Sequence, residues 1–421
     1  MTNTRVSKIL SVALVLVAIT FSLAVHAQAQ TEVFLHYFTG NRDGYGPNGK
    51  LIFDSAGNLY GTTAGGGNTA CSFGCGVVYR LSPTSSGGWH ETVLHEFTGG
   101  WAGFNPIAGV VRDAAGNLYG SAYSGGFTNA NCINQSCGLI YELSPTATGY
   151  HFKVLHVFTG KVDGGNAYGG VILDAAGNLY GTTVGGPHSG SGTVFELSPT
   201  SSGYWNETIL YTFTGGNDGG DPLGGLTFDS AGNLYGTTYV DGAFGYGTVY
   251  ELTKSGSTWT EQVLFNFSGG STSTTGFFPV GPIVRDAAGN IYGTTTMSGD
   301  ANNSDGLVYE LTPSSSGWNE TVIYSFSAAS EGATPLSGLV IDSAGNLYGT
   351  TVSGDKGIGF GNVFELSPSS SGWVYSVLHK FTGAPDGDGA GGLVLDAAGN
   401  LYGPASGGGT HGSGLAYEII P

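Results

Sequence analysis

Apolar and β-branched residues come in short runs along this chain, separated by Gly, Asn, Asp, Ser and Pro, and one arrangement of them recurs. In one copy, Gly225-Leu226-Thr227-Phe228 is followed by Asp229-Ser230-Ala231-Gly232-Asn233 and then by Leu234-Tyr235-Gly236-Thr237-Thr238. Both flanks carry the aliphatic, aromatic and β-branched residues of strands, so the unit predicts a hairpin. Asp can accept hydrogen bonds from the backbone just ahead of it, Gly takes a positive φ without steric cost, and Asn tolerates the left-handed geometry beside it. The pattern Asp-(Ser/Ala)-Ala-Gly-Asn-(Leu/Ile)-Tyr-Gly starts seven times, at Asp54, Asp113, Asp174, Asp229, Asp286, Asp342 and Asp396. A repeat of that length is an array of supersecondary units. A turn is needed in every unit and a catalytic carboxylate only once, so these Asp and Asn residues are assigned to turn chemistry rather than to a ring of ligands.

Each unit predicts four strands. Strand a (Gly-Gly-Leu-x-x-Asp) and strand b (Asn-Leu-Tyr-Gly-Thr-Thr) flank the hairpin. Strand c is Gly-Thr-Val-Tyr-Glu-Leu-Ser-Pro, and strand d resembles Glu207 to Gly215. The chain begins with an isolated d strand, 32–38, and stops after a seventh c strand within 391–420. That offset serves a ring, in which the first strand zips onto the last three and removes both free edges. The expected fold is therefore all-β: a seven-bladed β-propeller of four-stranded antiparallel blades with three-plus-one closure, occupying 30–421 as one domain. Strand a is expected nearest the axis, where paired glycines suit the crowding. His36, His95, His156 and His379 share a d-strand position with Tyr211, Phe265 and Tyr324, which points to packing rather than ligation.

Composition alters this picture at the N-terminus. Arg5 and Lys8 precede an apolar run from Ile9 to Val25, and Ala27-Gln28-Ala29 gives a small-residue cleavage pattern, so 1–29 is expected to be a secretory signal. An uncleaved anchor is the alternative, and no other segment is long enough to span a bilayer as a helix. Removing the signal takes the formal charge from −18 to −20, with few, scattered cations left. Nucleic acid is excluded as a partner, because its binding rests on cation contacts to phosphate. An exported monomer, periplasmic, surface-bound or secreted, is expected.

The paired motifs Asp-x-Ala-Gly-Asn-Leu-Tyr-Gly-Thr-Thr and Gly-x-Val-(Tyr/Phe)-Glu-Leu-(Ser/Thr)-Pro resemble the GloVer tandem repeat of the choice-of-anchor GloVer-containing bacterial proteins, over essentially all of 30–421. The Asp-x-x-Gly-Asn core is also similar to hairpins of NHL and two-component-regulator propellers. The resemblance implies export and a surface or extracellular place, and it brings no catalytic residues.

In an antiparallel a-b-c-d blade, the a–b and c–d turns share one face and the b–c and d–a loops the other. The first face carries the monotonous turns, so candidate chemistry belongs to the second. Cys71 and Cys75, and Cys132 and Cys137, fall in b–c loops of adjacent blades, where two local disulfides are expected and a shared four-Cys zinc site is the alternative. Asp43, Asp163, Asp218, Asp221, Asp386 and Asp388 lie in Gly-rich d–a loops and are candidate Ca2+ ligands, against the simpler reading as turns; no other cofactor is expected. Trp101, Tyr123, Phe127 and Tyr168 in the first three blades, and Phe244, Tyr246, Phe277 and Phe278 in the next two, are candidate contacts for a glycan or protein. His188 and His411 are candidate acid–base residues of a lyase or hydrolase. No nucleophile elbow, zinc-protease helix or nucleotide fingerprint is present. The leading expectation is a binding protein. A polysaccharide lyase or hydrolase with a site at the channel mouth is second, and a structural or adhesive envelope protein third.

Overall fold

A computed structural model describes residues 31–186, 191–269, 275–298, 305–326, 332–353 and 359–421, and the expected signal segment 1–29 lies outside them. Seven antiparallel sheets each run a-b-c-d, as in Val171–Leu173, Leu179–Thr183, Thr193–Pro199 and Trp205–Thr212 of blade 3. In blades 1, 5 and 7 strand a is split in two, as in Tyr45–Pro47 and Ile52–Phe53. The closure is as the strand count requires. Thr31–Tyr37 pairs antiparallel with Leu415–Ile420, from Thr31 opposite Ile420 to Tyr37 opposite Leu415, with a register shift at Leu35 between Phe34 and His36.

Each residue of the repeated motif has a separate task. Asp229 accepts hydrogen bonds from the Ala231 and Asn233 amides and from the Asn233 side chain, and Gly232 (φ +86°) completes the turn. The Tyr hydroxyl donates to the same Asp in most blades, for instance Tyr180 to Asp174 at 3.2 Å. The Gly after it has no room for a side chain. A Cβ on Gly236 would stand 2.5 Å from the Tyr250 hydroxyl, and one on Gly181 2.6 Å from the tip of the Phe195 ring. The first Thr joins blades: Thr62 donates to the Ala108 carbonyl at 2.8 Å and Thr182 to that of Pro222 at 2.8 Å. The second Thr accepts from the strand c amide opposite, as Thr183 does from Thr193.

The core lies between blades. Seven apolar clusters each draw on two adjacent sheets, one joining Tyr180, Val194 and Phe213 of blade 3 to Leu226, Leu234 and Tyr250 of blade 4. Nearest the axis, a Cβ on Gly169 would meet the Gly225 nitrogen at 2.3 Å, and one on Gly281 the Gly338 nitrogen at 2.4 Å, which is the crowding that opening glycines relieve.

Five fully buried strand c hydroxyls, those of Tyr79, Tyr141, Tyr250, Tyr309 and Tyr417, have no hydrogen-bond partner among the described residues. Phe195 and Phe364 fill this position in blades 3 and 6. An unpaired buried hydroxyl costs about 1 kcal/mol or more. Tyr309→Phe is therefore expected to raise the melting temperature slightly, and a lowered one would mean that the hydroxyl is satisfied.

Candidate functional site

The b–c and d–a loops meet on one face, and the disulfides help fix them there. Cys71 bonds Cys75 and Cys132 bonds Cys137, each within its own loop, so the shared four-thiol zinc site is set aside. The next d–a loop packs directly on the sulfur: a Cβ on Gly160 would lie 2.3 Å from Cys132 Sγ.

The d–a aspartates divide into two kinds. Asp43, Asp163, Asp218 and Asp386 each accept from the amide and hydroxyl of a Thr four residues earlier, as Asp218 does from Thr214 at 2.8 and 2.6 Å. They hold the turn, the simpler of the two sequence expectations. Asp221 and Asp388 are different. Burial pushes both carboxyls up, with the Asp241 charge adding to the effect at Asp221.

The candidate aromatics form three groups of touching rings. Trp101, 66 % exposed, meets Phe127, 41 % exposed, edge-on with ring centroids 6.3 Å apart. The other two lie in the loops of blades 2 to 5. Tyr123 and Tyr168 cross edge-on at 5.9 Å. Tyr239 stacks on Phe278 at 4.8 Å, and Tyr246 touches Phe277 and Phe278 at 5.3 and 6.0 Å. Asp221 bonds one of these groups and acts on the other through its charge. The Tyr239 amide donates to its carbonyl at 3.0 Å, and its carboxylate helps hold the Tyr123 phenol up at about 12, after burial and Tyr168. Phe244 is exposed and makes no ring contact among the described residues.

One feature of this face was not anticipated from sequence. A residue on the way into strand a, within its first segment or a few residues ahead of it, has a positive φ in all seven blades: Gly46, Asn105, Asn166, Asp221, Phe278, Thr334 and Gly389, between 50° and 66°. Each stands before a Pro or Ala, the signal by which it could have been found. L-residues such as Phe278 and Thr334 adopt this conformation at a cost of about 1–2 kcal/mol. The bend is common to the fold while its side chain differs from blade to blade. Asn166 uses its side chain to bind the Ile133 amide and the Tyr123 and Ser136 carbonyls, whereas Asp221 and Phe278 belong to the aromatic arc.

Of the candidate acid–base pair, His188 lies outside the described residues. His411 is exposed, with its Nδ1 3.0 Å from the Thr410 hydroxyl. The d-strand histidines do pack on aromatics, His156 on Phe158 at 4.8 Å for example, but His36, His156 and His379 also face carboxylates, which sequence reasoning did not foresee.

Solved structures resemble this chain to different degrees. A candidate 6-phosphogluconolactonase from Bacteroides uniformis matches with a TM-score of 0.50 at 12% identity, over 82% of this chain and 95% of its own. A gluconolactonase from Xanthomonas campestris matches with a TM-score of 0.38 at 14% identity, over 68% and 82%. A candidate glucose dehydrogenase of Thermus thermophilus matches with a TM-score of 0.40 at 13% identity, over 93% and 100%. At these identities the first supports the fold alone. No curated protein matches the chain in sequence. The Gloeobacter/Verrucomicrobia repeat model matches residues 18–226, 128–341 and 241–421, and the chain belongs to that repeat family.

Proposed function

We propose that the protein is an exported propeller that binds an extracellular glycan through its irregular face. The observation that carries this reading is the aromatic arc of blades 2 to 5, Tyr123, Tyr168, Tyr239, Tyr246, Phe277 and Phe278, with Asp221 and Asp241 beside it. Sugar rings dock their apolar faces on aromatic rings and their hydroxyls on carboxylates, and such sites combine few polar groups with aromatic walls. The two disulfides and the basic-then-apolar start of the chain support export. Among the described residues no helix is long and apolar enough to cross a membrane.

A glycan array with wild type, Tyr168→Ala, Phe277→Ala and Trp101→Ala tests the reading. Each arc variant is expected to weaken the best ligand roughly tenfold, the worth of about 1.4 kcal/mol of lost ring contact. Loss with Trp101→Ala alone would move the site to the rim of blades 1 and 2. Binding of protein but no glycan would overturn the ligand class. Turnover of a polysaccharide, abolished by His188→Ala or His411→Ala, would favour the lyase or hydrolase reading.

A further inference from the structure

We propose that two His–Asp–Glu clusters at blade interfaces are transition-metal sites, of the kind that takes Zn2+. The first joins His156 and Asp163, from strand d of blade 2 and the loop after it, to Glu207 on strand d of blade 3. The second joins His379 and Asp386 of blade 6 to Glu32 on the closing N-terminal strand.

In each cluster one nitrogen and two carboxylate oxygens lie within 4.8 Å of one another. His156 Nε2 stands 3.3 Å from Glu207 Oε1 and 3.8 Å from Asp163 Oδ2, and His379 Nε2 stands 3.5 Å from Glu32 Oε2 and 2.9 Å from Asp386 Oδ1. A tetrahedral ion with bonds of about 2.0–2.1 Å sets its ligand atoms about 3.3–3.4 Å apart, which His156 and Glu207 match at 3.3 Å and His156 and Asp163 exceed at 3.8 Å. His156 Nε2 and Glu207 Oε1 are buried and face each other as a 3.3 Å ion pair without hydrogen-bond geometry, a contact that an ion between them would replace with two ligand bonds. Asp163 is held from behind by the Thr159 amide and hydroxyl, the outer support that ligating carboxylates carry. Imidazole with two carboxylates suits zinc, nickel or cobalt rather than calcium, which takes six to eight oxygens.

The neighbouring interface supplies a comparison. There Tyr211 replaces the histidine, its hydroxyl donates to Asp218 at 3.0 Å, and Glu261 stands in the place of Glu207. A phenol completes that cluster through its own proton, so an ion is not needed. The interface also shows that Tyr fits the position, which makes His156→Tyr and His379→Tyr variants that should fold.

The test is equilibrium dialysis of untagged, EDTA-stripped protein against Zn2+, with Co2+ as a spectroscopic probe. Wild type should retain two equivalents of zinc, show the visible bands of four-coordinate cobalt, and melt at a higher temperature with zinc than in EDTA. Each single His→Tyr variant should retain one equivalent and the double variant none, with melting in EDTA unchanged. Glu207→Gln, which keeps the side-chain shape, should weaken the first site at least tenfold and carries the test if His156→Tyr fails to fold. Wild type that retains no zinc, or a double variant that retains both equivalents, would overturn the proposal. So would an equal thermal shift from Ca2+.

Discussion

A chain lacking residues 31–38 should lose cooperative folding, although it keeps all seven Asp-x-Ala-Gly-Asn hairpins. The closing strand does two things at once. It covers the edge of Leu415–Ile420 with a full antiparallel ladder, extended by the Phe38 amide donating to the Gly414 carbonyl at 3.0 Å. It also inserts Leu35 and Phe38 into the interface of blades 7 and 1. There Phe38, fully buried, lies edge-on to Tyr79 with ring centroids 4.9 Å apart, in one cluster with Leu51, Leu59 and Tyr402. Phe38→Ala alone should cost about 3–5 kcal/mol. That is a large part of the stability of an ordinary domain. Deletion adds the loss of the ladder and exposes an unpaired apolar edge. Thermal melts, gel filtration and limited proteolysis would show a broad transition, aggregation and early cleavage. A synthetic peptide of residues 31–40 added in trans should restore part of the transition. A truncated chain that melts like wild type would falsify ring closure as the source of stability.

The ring was legible because it follows from counting. Seven copies of each strand type, with one d strand displaced to the start, leave few arrangements other than a closed propeller. The hairpin was legible because Asp, Gly and Asn each have a backbone role that can be named from the residue alone. The purpose of the Gly and Thr after Leu-Tyr was not, because it depends on what lies opposite. Gly236 is small because the Tyr250 ring lies over it, and Thr182 is there for the carbonyl of Pro222 in the next blade. The candidate site was legible as a face and as a set of aromatics. Its grouping was not: nothing in the sequence places Tyr123 beside Tyr168, or Asp221 between them and Tyr239. The d-strand histidines show the same limit. Their exchange with Tyr211 and Phe265 signals packing, and they do pack. The carboxylates facing His156 and His379 come from a loop seven residues on and from the adjoining blade, a coincidence that only the ring creates.

Stability should peak on the acid side of neutrality and fall towards pH 8, by on the order of 3 °C in melting temperature. Two sets of carboxyls set the limbs, and their signs differ. Burial alone would raise the turn carboxyls of Asp54, Asp174, Asp229 and Asp342, but the hydrogen bonds each accepts from the following Asn and its neighbours outweigh it. All four end below the usual 3.8. The folded state thus binds their protons more weakly than the unfolded chain. Their stabilisation is complete above about pH 4 and is lost as the pH falls through the lowered values. Glu91, Glu261 and Glu320 on strand d behave oppositely. Burial pushes each from 4.5 to about 7, with Asp43 adding to the effect at Glu91 and Asp218 at Glu261. Here the folded state binds the proton more tightly, so stability falls as the pH rises from 4.5 to about 7 and is level beyond. Full burial would make each shift worth about 3 kcal/mol. These carboxyls are partly open to solvent, and screening reduces the figure to about 1 kcal/mol each. The measurement is a series of melts from pH 3 to pH 9 in EDTA, so that no bound metal contributes. Glu91→Gln, Glu261→Gln and Glu320→Gln together should make the neutral limb shallower and leave the acid limb unchanged, since Gln mimics the protonated acid at every pH. The slope that remains is the share of Glu32 and Glu207, which burial raises to about 8 and about 7. His36 and His95, which burial holds neutral by lowering their pKa values, oppose this limb up to about pH 6.5. The decisive window is therefore about pH 6.5 to pH 8, and wild type that gains stability across it would contradict the assignment.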